Sequence, residues 1–259
     1  MRIKWSKAPL FISVTLAAIF FLLPLGSATE YALRQPLKQN YGFDNFLWFM
    51  TLPEFGHYIG ISLELALGAA LVTLVLLVPT IIWLNLGGAK LRRLVEFITL
   101  LPLVIPVVAL AIGAQTSLPD FAQTQEGVLS FLYAVLAMPY AYRTLDTGLR
   151  AVPLKTIVEA ARGLGAGWVR TMLKVVVPIV RGPVLNALFM TLALSLGEFT
   201  LTSLMHWDTF TTWVTVVSQQ NILGAIALSV FSLVAVFVLL LIIGLFVKAP
   251  NTQQATEEN

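Results

Sequence analysis

The sequence predicts an all-helical protein that crosses a membrane six times, and three observations predict it. The 259 residues are 58% hydrophobic and only 11% charged, too little charge to coat a soluble domain of this size. Runs of about 20 apolar residues recur, each long enough to cross a hydrocarbon core of roughly 30 Å. The Lys and Arg residues are sorted between the intervening segments as an inside–outside arrangement requires. There are no cysteines, so disulfides, thiolate metal sites and thiol nucleophiles are excluded. The formal net charge of +3 is not read as nucleic-acid affinity, because in a membrane protein the placement of positive charge matters more than its sum.

Taken in order, Arg2, Lys4 and Lys7 precede an apolar run over residues 10–25. A basic start followed by Gly26-Ser27-Ala28 also fits a cleaved signal peptide, but the run is long for one and is read as the first span. Residues 27–56 form a polar loop that ends in Phe46, Trp48, Phe49 and Phe55, with Tyr58 beyond, residue types that favour the membrane–water boundary. The second span covers 57–84, and residues 87–93 make a short basic turn. The third covers 94–114; Pro102 and Pro106 share one face and each removes a backbone donor, which predicts a kink. A polar loop over 117–126 leads to the fourth span at 127–144, which contains Pro139.

A long polar segment, 146–181, comes next. The fifth span is placed at 183–205, a polar loop with Trp207 and Trp213 at 206–220, and the sixth span at 222–247. The tail, 248–259, is polar and expected to be disordered. The domains so read are an N-terminal helix and outer loop (1–56), a five-helix core (57–247) and the tail. With both termini inside, only Arg34 and Lys38 of the 16 Lys and Arg residues fall outside. The positive-inside rule therefore supports both the span number and the orientation, and puts 146–181 in the cytoplasm.

That segment carries the chain's most specific pattern. Glu159-Ala160-Ala161 is followed by three residues and Gly165, then nine residues, Val175, one residue and Val177-Pro178. Pro153 suits the first turn of a short helix. Ala160 and Ala161 keep one face thin, Gly163, Gly165 and Gly167 interrupt the helix, and Trp168 resumes it until Pro178 ends or kinks it. The bland reading is an amphipathic loop. The pattern resembles the EAA signature of ABC-importer permeases: EAA, three residues, Gly, nine residues, Ile, any residue, Leu-Pro. Met138-Pro139-Tyr140, Arg143 and Leu149-Arg150 look like that family's approach to the motif, and the likeness extends over roughly residues 58–247.

The resemblance implies a type I importer permease fold in which Glu159, Ala160, Ala161, Gly163, Gly165, Trp168, Val175, Val177 and Pro178 form a coupling helix seated in an ATPase subunit. Glu159 would pair with an Arg there or order the turn. The implied partners are two ABC ATPase subunits, a second permease, identical or paralogous, and an extracytoplasmic substrate-binding protein, in a bacterial inner membrane. ATP and Mg would sit on the partners. This chain itself has no GxxxxGK[ST] phosphate loop, no HExxH and no nucleophile elbow, so no enzyme activity or cofactor is expected of it. Ser195-Leu196-Gly197-Glu198-Phe199 resembles the branch that handles polyamines, ferric iron, thiamine, sulfate or molybdate, and aminoalkylphosphonates, more than the sugar branch.

Thr191, Ser195, Glu198 and Thr202 recur at helical spacing and so share one stripe of a continuous fifth helix. A carboxylate in lipid is costly, so Glu198 faces a wet path or a protein interior. The stripe is either a translocation path or a helix–helix contact. Glu64, between Gly60 and Gly68, falls in a close-packed seam or at the outer vestibule. An ion-coupled carrier with Glu198 or Glu64 as its proton site, and a non-transporting scaffold, are the rival readings; neither accounts for the EAA spacing. His57 and His206 are isolated and suggest no metal site.

Overall fold

Apolar runs bounded by Pro, Gly and charge become long helices. A computed structural model describes residues 8–35, 40–123 and 125–246; the tail expectation lies outside them. Helix α1 (Ala8–Leu33) is followed by a two-residue hairpin, β1 (Arg34–Gln35) against β2 (Asn40–Tyr41), and by α2 (Asp44–Met50). Next come α3 (Phe55–Leu86), α4 (Arg92–Leu100), α5 (Val107–Ser117), α6 (Asp120–Gln123) and α7 (Glu126–Arg150). The second half holds α8 (Leu154–Gly163), α9 (Trp168–Thr171), α10 (Val177–Leu196), α11 (Thr200–Leu204), α12 (Phe210–Gln220) and α13 (Ile222–Phe246). Among the described residues five helices are long and apolar enough to cross a bilayer, or six if the bent pair containing α4 and α5 counts as one span. The protein is a multi-pass membrane protein.

Several boundaries differ from the sequence reading. The third span is broken rather than kinked. A 3₁₀ turn over Leu101–Leu103 and the extended Pro106 separate α4 from α5, and the two halves meet at 96°. Two prolines four apart remove two successive ladder donors, more than one helix absorbs. The fourth span continues to Arg150, nearly two turns deeper into the basic end than the apolar run shows. The fifth begins at Trp168 and ends at Leu196, where Gly197 stops it. The loop predicted over 206–220 contains α12, with Trp213 buried rather than poised at a boundary. The loop over 27–56 is ordered where described: Asn45 donates to the Ala32 and Arg34 carbonyls (2.8 and 3.0 Å), and the Glu30 carboxylate accepts from Arg34 Nε (2.7 Å) and from the Tyr41 hydroxyl (2.8 Å).

The chain packs as two units. One joins the residues up to His57 with Trp213–Ala235. Its centre is aromatic: Phe49 is fully buried and its ring lies 5.3 Å from Phe55 and 5.4 Å from Phe231. Gly224 leaves room for the Trp48 ring, which a Cβ would approach to 2.3 Å. The other unit joins Tyr58–Thr212 with the residues from Val236 on. At its basic end Leu77 and Ile81 of α3, Tyr142, Leu145 and Leu149 of α7, and Val180 and Ala187 of α10 form one core. Towards its other end Leu65, Ala69, Ala111, Leu129, Ala134 and Leu201 form a second. Helices approach closely where a glycine permits: a Cβ on Gly148 would lie 2.5 Å from Pro183 Cγ, and one on Gly68 2.5 Å from Ser130 Oγ.

Candidate functional site

Two arrangements in the second unit carry chemistry: a projecting turn at the basic end and a cleft among the spans. The turn grows from α8. Leu154 and Val158, one helical turn apart, are buried in the same core as Val176 and Val180. That anchors one face of α8 and turns the other out: Glu159, Ala160 and Gly163 are exposed and Ala161 is partly buried. Glu159 meets Lys155 at 3.8 Å, with both side chains about two-thirds exposed (65% and 64%). Within the chain Glu159 thus pairs along α8 rather than with the turn, and its exposed carboxylate leaves the other expectation, an Arg on the ATPase, open to a partner.

The helix then ends in a Schellman motif. The Ala166 amide donates to the Ala161 carbonyl (3.1 Å) and the Gly165 amide to the Arg162 carbonyl (2.9 Å), while Gly165 adopts φ +84°. This pairing fixes the left-handed residue four positions after the last alanine of the EAA triplet. The spacing of Gly165 from Ala161 therefore has a backbone cause. Leu164, at the tip, is 90% exposed, and Trp168 and Val169 beyond it are more than half exposed. The Arg162 guanidinium sits 5.9 Å above the Trp168 ring, across the turn. Leu164 was not singled out from the sequence. Its signal was an isolated apolar residue between two glycines in a polar segment.

From Trp168 the chain is helical through Leu196, but Met172–Val176 is a π turn. Pro178 lacks a donor and its ring crowds the carbonyl of Lys174, four residues back; one widened turn accommodates it. Pro178 therefore neither ends nor sharply kinks the helix. Val175 and Val177 flank the end of that turn, Val175 half-buried and Val177 exposed.

Just before α8, the end of α7 is held by charge. The Asp146 side chain is 6% exposed, and its two oxygens are taken by Arg92 of α4 and by Arg150 (2.8 Å) one turn along α7. Arg92 also donates to Asn85 of α3 (3.2 Å). A second pair, Arg143 with Glu96 (2.9 Å), lies one turn further along α4. Both oxygens of the buried carboxylate are satisfied, as a buried charge requires. The sequence reading missed Asp146, whose first partner lies 54 residues away.

The cleft encloses about 340 Å³. The break between α4 and α5 forms one wall with Pro102, Ile105 and Pro106; Tyr133, Leu136 and Tyr140 of α7 form another; Ser195 and Glu198 close it. Ser195 Oγ is buried without a hydrogen-bond partner. Glu198 is not on the helix with Ser195. It lies in the gap after Gly197, where its Oε1 accepts the Leu201 amide (2.7 Å) at the start of α11 and its carbonyl accepts from Thr211 (2.8 Å). The predicted stripe is therefore cut. Ser195 and Glu198 line the cleft; buried Thr191 bonds back to Ala187 (2.9 Å) and buried Thr202 to Phe199 (3.0 Å). Glu64 is exposed on α3 and does not line the cleft; of its two flanking glycines only Gly68 sits in a packed seam, against Ser130. No group of three or more His, Asp or Glu among the described residues could hold a metal ion.

Comparison with known proteins places this architecture. A curated relative, a probable transport system permease protein NifC of Clostridium pasteurianum, is 25% identical over 266 aligned positions that cover 93% of this chain and 88% of the relative. The fold is similar to that in the crystal structure of a bacterial alginate ABC transporter in complex with an alginate pentasaccharide-bound periplasmic protein, with a TM-score of 0.64, 18% identity and 93% of each chain covered. The model of the family described as "binding-protein-dependent transport system inner membrane component" matches residues 78–250, more than half the chain. Those residues contain the broken span, the Asp146 clamp, the Schellman turn and the cleft-lining Ser195 and Glu198, and on that match the chain belongs to this family of ABC-importer permeases.

Proposed function

We propose that the chain is the membrane subunit of an ATP-driven importer, joined to separate ATPase subunits by the turn around Leu164. The observation that carries this is a rigid, exposed apolar tip. Leu164 is 90% exposed, on a turn closed by Gly165 and on a helix anchored by two buried residues. An isolated exposed leucine explains little, but one with Trp168 and Val169 beside it on a fixed turn is built as a knob for a partner's groove. ATP and Mg belong to the ATPase chains, and the basic end of the protein faces them in the cytoplasm of a bacterial cell. A second permease, identical or paralogous, completes the pathway, and a substrate-binding protein feeds it from outside. A periplasmic protein in complex with the alginate transporter supports the last of these partners.

The path runs through the cleft of Ser195 and Glu198. A carboxylate there suits a small cationic solute, and polyamines are the first class to test. The experiment is a gentle detergent purification of the tagged chain from its native membrane, with mass spectrometry of what accompanies it. An ABC ATPase in stoichiometric amount is expected, and any co-isolated binding protein can be screened against spermidine and putrescine. A chain that purifies alone and still drives proton-gradient-dependent uptake would refute the reading in favour of a secondary carrier with Glu198 as its proton site.

A further inference from the structure

One route between the cleft and the turn runs along α7 and the side chains that join it to α4. Helix α7 lines the cleft with Tyr133, Leu136 and Tyr140 and ends at Arg150, three residues short of Pro153 and the start of α8. Helix α4 forms the facing wall through the turn at its far end, where Pro102 and Ile105 meet the cleft. Between these two walls stand the two rungs, Arg92 with Asp146 and Glu96 with Arg143. The lower rung is also tied to α3 by Asn85 and to the last turn of α7 by Arg150. The separation of α4 from α7 at these rungs sets how far apart the cleft walls begin.

We propose that Asp146 is the joint between the turn and the cleft: a positioning residue that holds α4 against α7 through Arg92, and that passes movement of α8 into the width of the cleft. This rests on the ATPase-coupling reading of the turn. Asp146 touches neither solute nor ATPase; it acts through the helices it joins.

The test needs no knowledge of the solute. The chain has no cysteine, so a single Leu136→Cys reports on the cleft. In the intact transporter in lipid nanodiscs, the rate of N-ethylmaleimide labelling at that position is compared with and without vanadate-trapped ATP, beside the rate of ATP hydrolysis. The parent is expected to change its labelling rate between the two states. Asp146→Asn should shrink that ratio by about twofold to thirtyfold, the range found along coupling networks, while hydrolysis continues. Because a buried substitution can disturb folding, Arg143→Gln on the more exposed upper rung is run in parallel. It should shrink the ratio as well, and Arg143→Lys, which keeps the charge, should restore it. Equal ratios in the parent, Asp146→Asn and Arg143→Gln would overturn the joint alone, as would a lysine that restores nothing or a parent whose cleft ignores vanadate. A parent that carries no ATPase subunit would overturn the coupling reading itself, and the joint with it.

Discussion

Replacing Gly165 with alanine should open the turn that presents Leu164 without disturbing any neighbour. The residue sits at φ +84°, and a Cβ built there has no heavy atom within 4 Å. No steric clash contributes, so the whole penalty is the left-handed backbone, about 1–2 kcal/mol for an L-residue other than Gly or Asn. That corresponds to a shift of roughly 5- to 30-fold between the closed turn and its open alternatives. Asparagine visits the left-handed region more readily and should cost less; valine, β-branched, should cost more. Gly163 provides the control. It is the last residue of α8, also with nothing within 4 Å and without a positive φ, so alanine there carries no left-handed penalty. The assay is ATPase retention on the detergent-purified permease, titrated with salt. Retention should fall in the order Gly, Asn, Ala, Val at position 165 and be undiminished in Gly163→Ala. If alanine at 165 retains the ATPase as well as glycine, or asparagine retains less than alanine, the Schellman turn is not what the partner reads.

Three further outcomes follow from the geometry. Leu164→Ala should weaken ATPase retention while leaving thermal stability in detergent within about 0.5 kcal/mol, because an exposed side chain contributes little to packing; a matching loss of stability would show that Leu164 is a packing residue instead. Gly148→Ala forces a methyl to 2.5 Å from Pro183 Cγ and should destabilise the basic half by about 1–3 kcal/mol. Pro183→Ala relieves this only in part, because Pro183 Cβ also stands at 2.8 Å, and a thermal-shift series of the two single variants and the double reads it. Glu198→Gln keeps an oxygen for the Leu201 amide and removes only the charge, so uptake should fall several-fold with ATPase retention and thermal stability unchanged; unaltered uptake kinetics would reduce Glu198 to a helix cap.

What the sequence could show depended on how local the cause was. Gly165 was legible because a Schellman turn ties it to Ala161 through backbone bonds alone, whatever surrounds it. The second and sixth spans were legible because bilayer thickness sets their length, whereas α1 runs on to Leu33, past its apolar run and into the predicted loop. Pro102 and Pro106 declared a disturbed helix but not its angle: lost donors permit a bend, and packing of α4 against α7 decides whether it reaches 96°. The fifth helix was misplaced at both ends for opposite reasons. Its first turns, Trp168–Thr171, are outside the apolar run, and its last turn is followed by residues as apolar as those within it, so only Gly197 marked the stop. That error carried Glu198 onto a helix face it does not share. Asp146 was illegible because its meaning lies in Arg92, on another helix.

The break in the third span has a consequence for water. Pro102 lies ten residues from Arg92, about 15 Å along a helix, near the middle of a hydrocarbon layer of roughly 30 Å. There α5 begins with amides that no side chain caps, and Ser195 in the last turn of α10 lines the same cleft as Pro106 and Val107. Irregular backbone at membrane depth persists only where protein buries it or water reaches it. Here the open ends of two helices border one cavity. Water in that cavity would satisfy the free amides, and a solute entering it would exchange one hydration shell for another rather than leave water for oil.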